Sequence, residues 1–170
     1  MTEICWTLSQ DLLPKSIEIM RLDGRAGNEG LALWMGVGDD DSAVVTHVCN
    51  VHGSGFVTSP LYLRLSFRAI AQLTDLADQH GLYLIGQIHS HPGTFVDLSN
   101  LDRIQGFRVP GFLSVVCPHY AQRPETTLDD CGIHVFESGH YRRLDGIEVH
   151  RRIRVAATAA KVVHCEVHHD

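Results

Sequence analysis

Two histidines one residue apart, a Pro-Gly, and then a serine and an aspartate make up the segment HSHPGTFVDLSNLD, residues 89–102. Side chains alternate along a strand, so His89 and His91 share a face while Ser90 points the other way. Same-face neighbours lie roughly 6.5–7 Å apart along the strand, close enough for two imidazoles to converge on one ion. Pro92 and Gly93 end the strand and let the chain turn. Asp102 then offers a carboxylate. Two ring nitrogens and a carboxylate oxygen are a borderline donor set that suits zinc, with a fourth position left for water. An open position marks a catalytic zinc, because structural zinc is usually closed by four protein ligands.

The same residues also support plainer readings. Twelve histidines make a chance HxH pair unsurprising. Ser99-Asn100-Leu101-Asp102 fits a helix capping box, which needs no metal. The two readings of Ser99 are compatible, since an N-cap also fixes where Asp102 projects. His47 and His52, five apart across a strand end, read as solvent-facing. In the C-terminal HCEVHHD, His164 and His168 stand at i, i+4 and could clamp an adventitious metal on a helix; a frayed, solvated terminus is the expectation there.

The elements that must position these groups follow from periodicity. Apolar residues at helical spacing predict a helix over 12–22, with Pro14 in its first turn and Gly24 and Gly27 beyond its end. GLALWMGVG (30–38) and AVVTHVCNV (43–51) read as strands of a hairpin around the acidic turn DDDS. After the glycine-rich loop 52–58, Ser59-Pro60 suits a helix start, and an amphipathic stripe runs from Leu63 to Ala77 before Gly81. GLYLIGQIH is a nearly all-apolar run, as expected of a strand covered on both faces. A further helix begins at Ser99. GFLSVVCP (111–118), CGIHVFES (131–138) and HYRRL (140–144) read as strands, and EVHRRIRV (148–155) as one more. Helices flanking a buried sheet predict an α/β fold.

Bulk properties bound the rest. The chain has 170 residues with no repeats or linker-like stretch, which predicts a single domain over 1–170 with a tail at 156–170. A net charge of −6 argues against nucleic acid as a partner. Five cysteines without CxxC spacing argue for a reducing compartment, and none has the context of a catalytic thiol. The N-terminal sequence does not read as a signal peptide, and no apolar run is long enough to span a bilayer, so a cytoplasmic protein without membrane contacts is expected.

Taken whole, HSHP, six residues, then SxxD after an apolar strand resembles the JAMM motif of the JAB/MPN metalloprotease family, matching at His89, His91, Pro92, Ser99 and Asp102. The serine between the histidines looks more like the deubiquitinase-type members than the radC-type branch. The family also carries a glutamate at the head of an early strand, and NEGLALWMG offers Glu29. The likeness covers residues 10–150 or so in order of elements. It implies a JAB/MPN (cytidine-deaminase-like) fold with a central mixed sheet flanked by helices. It further implies Zn²⁺ bound by His89, His91 and Asp102, with Glu29 as proton acceptor and Ser99 as oxyanion donor. Residues 94–98 would form a loop over the cleft, where Phe95 could meet an extended peptide or pack inward. The implied substrate is a ubiquitin-like protein cut after its C-terminal glycine, or a ThiS/MoaD-like sulfur carrier. A scaffold that has lost catalysis is the rival of another class, although family scaffolds typically lack one or more ligands.

Overall fold

The computed structural model describes residues 3–170; Met1 and Thr2, which the expected domain 1–170 and the reading of the N-terminus include, lie outside the described residues. In chain order the elements are β1 (Cys5–Ser9), α1 (Leu12–Arg25), β2 (Leu31–Gly38), β3 (Ser42–His52), β4 (Phe56–Thr58), β5 (Leu63–Leu65), α2 (Phe67–Gln79), β6 (Tyr83–Ser90), α3 (Asn100–Gln105), β7 (Leu113–Cys117), β8 (Gly132–Glu137), β9 (His140–Arg143), α4 (Gly146–Arg152), β10 (Ile153–Ala156) and β11 (Lys161–Glu166). The architecture is a mixed α/β fold whose central sheet runs β10-β1-β3-β2-β6-β7-β8-β9. Strand β3 is long enough to pair with β1 over Ser42–Val45 and with β11 over His47–His52, both in parallel.

Strand β2 shows why the sheet is covered twice. Ala32 and Trp34 face α1, where they pack with Leu12, Ile17, Met20 and Trp6. Leu31, Leu33 and Met35 face the other way, onto Ala69, Leu73 and Ala77 of α2. The continuous apolar run thus serves two cores through its alternation. The indole N–H of Trp34 donates to Ser16 Oγ at 2.9 Å, so this fully buried aromatic leaves no polar atom stranded. A third cluster, Leu98, Phe112, Val116, Phe136 and Tyr141, lies beside α3.

Several expectations require correction. The helix expected from Ser59-Pro60 begins only at Phe67, because Ser66 is the N-cap and accepts from Ala69 N. The residues before it form the small antiparallel pair β4-β5. EVHRRIRV is not one strand: Asp145 and Glu148 form a capping box that starts α4, and β10 follows. The C-terminal HCEVHHD is no frayed terminus, since β11 pairs with β3 as far as Glu166. Val163, Cys165 and Val167 of this segment pack against the α2 core, and His164 lies on a strand rather than on a helix with His168. Strand β1 was not read from the sequence. Among the described residues, no helix is long and apolar enough to cross a membrane.

Candidate metal centre

The centre is built at one end of β6. Antiparallel pairing sets Leu31 opposite His89, which brings the residues just before β2 alongside the end of β6. Gly30 and Ser90 are tied by two hydrogen bonds, Gly30 N to Ser90 Oγ at 2.8 Å and Ser90 N to Gly30 O at 3.0 Å. Glu29 is thereby carried to His91, with Oε1 3.9 Å from Nε2. Its backbone is clamped from the β4-β5 side: Glu29 N donates to Ser59 O at 2.9 Å, and Thr58 Oγ1 donates to Glu29 O.

On the other side of β6, parallel pairing sets Ser90 beside Cys117 of β7, and His91 N donates to Cys117 O at 2.9 Å. The chain then enters a left-handed turn at His119, Tyr120 and Ala121, all with φ between 52° and 57°. Three consecutive non-glycine residues rarely adopt this conformation. The turn returns hydrogen bonds to the ligand strand, His119 N to Gly93 O and Tyr120 N to His91 O, each 2.8 Å.

Asp102 arrives through α3. Ser99 Oγ accepts from Asp102 N at 3.1 Å, while Asp102 Oδ2 accepts from Ser99 N at 2.8 Å. The capping box of the sequence is therefore real, and it aims the same carboxylate oxygen at the histidines. Asp102 Oδ2 stands 3.5 Å from His89 Nε2 and 3.2 Å from His91 Nε2, and the two Nε2 atoms are 3.1 Å apart.

These separations test the fit to a metal. At bond lengths of 2.0–2.1 Å, the ligand atoms of tetrahedral zinc stand about 3.3 Å apart, and the three distances bracket that value. His91 Nδ1 lies 3.1 Å from Phe95 O, an acceptor only, so Nδ1 carries the proton and the Nε2 lone pair faces the centre. Two lone pairs and a carboxylate oxygen at such spacing repel unless a cation or proton lies among them. His89 Nδ1 is buried without a hydrogen-bond partner, so on that side its ring is held by packing. The residues fit a divalent ion with an N, N, O preference.

Electrostatics agree with this geometry. Glu29 is 2% exposed, and burial, with a further push from Asp102, raises its pKa to about 7 against the pull of His91. Its Oε2 is buried and has no hydrogen-bond partner. Burial alone would raise Asp102, but its contacts with His89 and His91, the charge of His89 and the hydrogen bond from Ser99 outweigh it and hold the carboxyl far below the usual range. For His91, burial opposes the charged ring, yet Asp102 and Glu29 prevail and raise its pKa.

All five residues singled out from the sequence, Glu29, His89, His91, Ser99 and Asp102, meet here. Phe95 is 59% exposed and stacks on the His91 ring, with centroids 5.7 Å apart, rather than packing inward. A cleft of about 540 Å³ opens beside Asp102, lined by Leu31, Leu63, Leu65, Phe67, Gln87 and Phe107. One buried polar residue near the centre was not singled out: His134 of β8, whose ring meets Asp97 of the 94–98 loop. Its only trace in the sequence is a lone histidine inside an apolar strand. His47 is partly covered, edge-on to His80, and His52 is exposed. All five cysteines are free.

No family model matches the chain. Over 106 residues, 62% of this chain, it is 31% identical to a curated relative from Sinorhizobium fredii named probable metalloprotease y4jG. The matched region spans 65% of that relative. Among solved structures, the chain resembles protein DSY2949 from Desulfitobacterium hafniense, with a TM-score of 0.59 at 19% identity over 96% of this chain and 94% of that one. It also resembles a protein from Salinibacter ruber, with a TM-score of 0.53 at 20% identity over 96% and 99% of the two chains. At such identities these two likenesses concern the fold alone.

Proposed function

We propose that this chain is a zinc-dependent peptidase of the JAMM type that hydrolyses the amide after the C-terminal glycine of a ubiquitin-like protein, either releasing it from a conjugate or maturing a precursor. The observation that carries the reading is the meeting of His89 Nε2, His91 Nε2 and Asp102 Oδ2 within 3.5 Å of one another, with the buried Glu29 carboxylate 3.9 Å from His91. The similarity to a probable metalloprotease supports the peptidase class. The motif resemblance supports the JAMM type and the substrate.

His89, His91 and Asp102 would hold the ion, which supplies Lewis acidity toward a carbonyl oxygen and toward water near neutral pH. Glu29, with a pKa near 7 and an unengaged Oε2, is matched to taking a proton from water and passing it to the departing amine. Ser99 Oγ accepts from Asp102 N and keeps its own proton free to donate to a substrate oxygen as charge builds there. The apolar cleft beside Asp102 has the form of a seat for an extended chain.

The test uses the purified protein loaded with zinc and a ubiquitin-like modifier joined to a reporter. A linear fusion and an ε-linked conjugate separate processing from deconjugation, and a ThiS/MoaD-like carrier with extra C-terminal residues tests the sulfur-carrier alternative. Cleavage should vanish on chelation and in Glu29→Gln. Cleavage that survives either treatment overturns the mechanism; a zinc-loaded protein that cuts other peptides but none of these overturns the substrate.

A further inference from the structure

We infer that Asp97 and His134 form a positioning pair that seats the 94–98 loop on β8 and so sets the two ligands His91 and Asp102, an inference that rests on the metal centre proposed above. His134 is 0% exposed and stands among apolar strand neighbours, Ile133, Val135 and Phe136. Its Nε2 lies 2.7 Å from Asp97 Oδ1 and its Nδ1 lies 3.1 Å from Ser114 O. Turned the other way, the ring would present carbon to both oxygens and lose the hydrogen bond it donates, so its orientation is fixed. A buried polar ring in such a place costs stability unless its partners are made. Here the partner belongs to a loop, not to the core.

That loop touches both ligands. The Phe95 carbonyl accepts from His91 Nδ1, two residues before Asp97. Two residues after it, Ser99 N donates to Asp102 Oδ2. Asp97 Oδ1 also accepts from Leu98 N at 2.8 Å and from Arg103 Nη2 at 3.1 Å, so one oxygen ties the loop to β8 and to α3. A second contact fixes the seat. A methyl group on Gly132 would stand 1.8 Å from Val96 O, so the loop backbone rests directly on the first residue of β8. Groups that orient metal ligands without touching the ion tune its affinity through such contacts.

Zinc affinity, measured by competition with a chromogenic chelator, separates positioning from mere folding when read beside the thermal midpoint of the metal-free protein. Asp97→Ala is expected to weaken zinc binding on the order of 10–100-fold, with a modest fall in the metal-free midpoint because the buried His134 Nε2 loses its partner. Asp97→Asn keeps an oxygen acceptor for His134 and should restore near-wild-type affinity. Ile17→Val, a core change on α1 away from the loop, should lower the midpoint modestly and bind zinc as wild type does. In metal-free protein, long-range ¹⁵N spectra should show a slowly exchanging His134 Nε2 proton that Asp97→Ala removes. Wild-type affinity in Asp97→Ala overturns the inference and leaves the metal centre standing, as does an equal loss of affinity in Ile17→Val. Failure of Asp97→Asn to restore binding overturns it too. Absence of zinc binding by the wild type itself removes the metal centre and this pair's role together.

Discussion

Ser90, placed between His89 and His91 and pointing away from them, accepts a 2.8 Å hydrogen bond from Gly30 N–H and donates its own N–H to Gly30 O at 3.0 Å. The pair fixes the distance between Glu29 and His91, one residue further on each strand. Ser90 is 0% exposed. Ser90→Ala would leave the Gly30 N–H buried without an acceptor, which costs about 1–3 kcal/mol. Urea denaturation should register this loss. Peptidase activity should fall more than zinc content, because Glu29 is held through this contact and the ligands are not. Unaltered stability in Ser90→Ala would remove the contact from the design of the site.

Glu29 gives the metal-free protein a pH signature. Its pKa is raised to about 7 from an ordinary value of 4.5, so between those values the folded state binds more protons than the unfolded chain. Stability from this group therefore rises as pH falls from about 7 toward 4.5, and the ionised carboxylate is a burden above 7. Glu29→Gln should be more stable than wild type at pH 8, by an amount on the order of a few kcal/mol, and the difference should close near pH 5. Thermal midpoints of both proteins in chelator across that range measure it. Asp102 acts in the opposite sense: its depressed pKa gives stability that is full above the ordinary value of 3.8 and is lost progressively as pH falls below it.

The place of Glu29 shows how much was legible. The types and spacing of His89, His91, Ser99 and Asp102 could be read directly, because strand alternation and a capping box are local rules. Putting Glu29 beside His91 needs the antiparallel register of β2 on β6, with Leu31 opposite His89, and no local pattern contains that pairing. The expected elements erred where two periods overlap. Leu63 and Leu65 continue the apolar stripe of α2, yet they belong to a two-residue alternation, and Ser66 is the cap that separates them. Val163 and Cys165 likewise alternate inward on β11, with Val167 just beyond it, in a terminus whose polar and histidine-rich composition reads as frayed and solvated. His134 was passed over because a single histidine in a strand has no spacing to read. Its importance comes from a loop 37 residues away in sequence.

Zinc affinity should itself depend on pH. Burial lowers the His91 pKa, but Asp102 and Glu29 outweigh it and raise it, so the metal-free ring holds a proton to higher pH than an ordinary histidine. Zinc requires the neutral ring, and binding must expel that proton. Affinity should then fall on the order of tenfold per pH unit below the His91 pKa, with about one proton released per zinc. Calorimetric titrations in buffers of different ionisation enthalpy count the protons. Affinity that stays flat between pH 8 and pH 6 would show that His91 is not a ligand.

Ser99 is a helix cap, and the proposed function gives it a second role of a different size. As an N-cap it accepts from Asp102 N at 3.1 Å, and replacing such a cap by alanine costs about 1 kcal/mol of stability. As an oxyanion donor it would be worth about 10²–10³ in kcat. The backbone bond from Ser99 N to Asp102 Oδ2 survives the substitution, so Ser99→Ala should still bind zinc. Ser99→Ala is therefore expected to show a modest fall in thermal midpoint, nearly unchanged zinc content, and a loss of kcat far larger than a shift of KM. Ser99→Thr, which keeps both the acceptor and the proton, should recover most of each. A Ser99→Ala protein that loses stability yet turns over at close to the wild-type rate would leave the hydroxyl as a cap and nothing more.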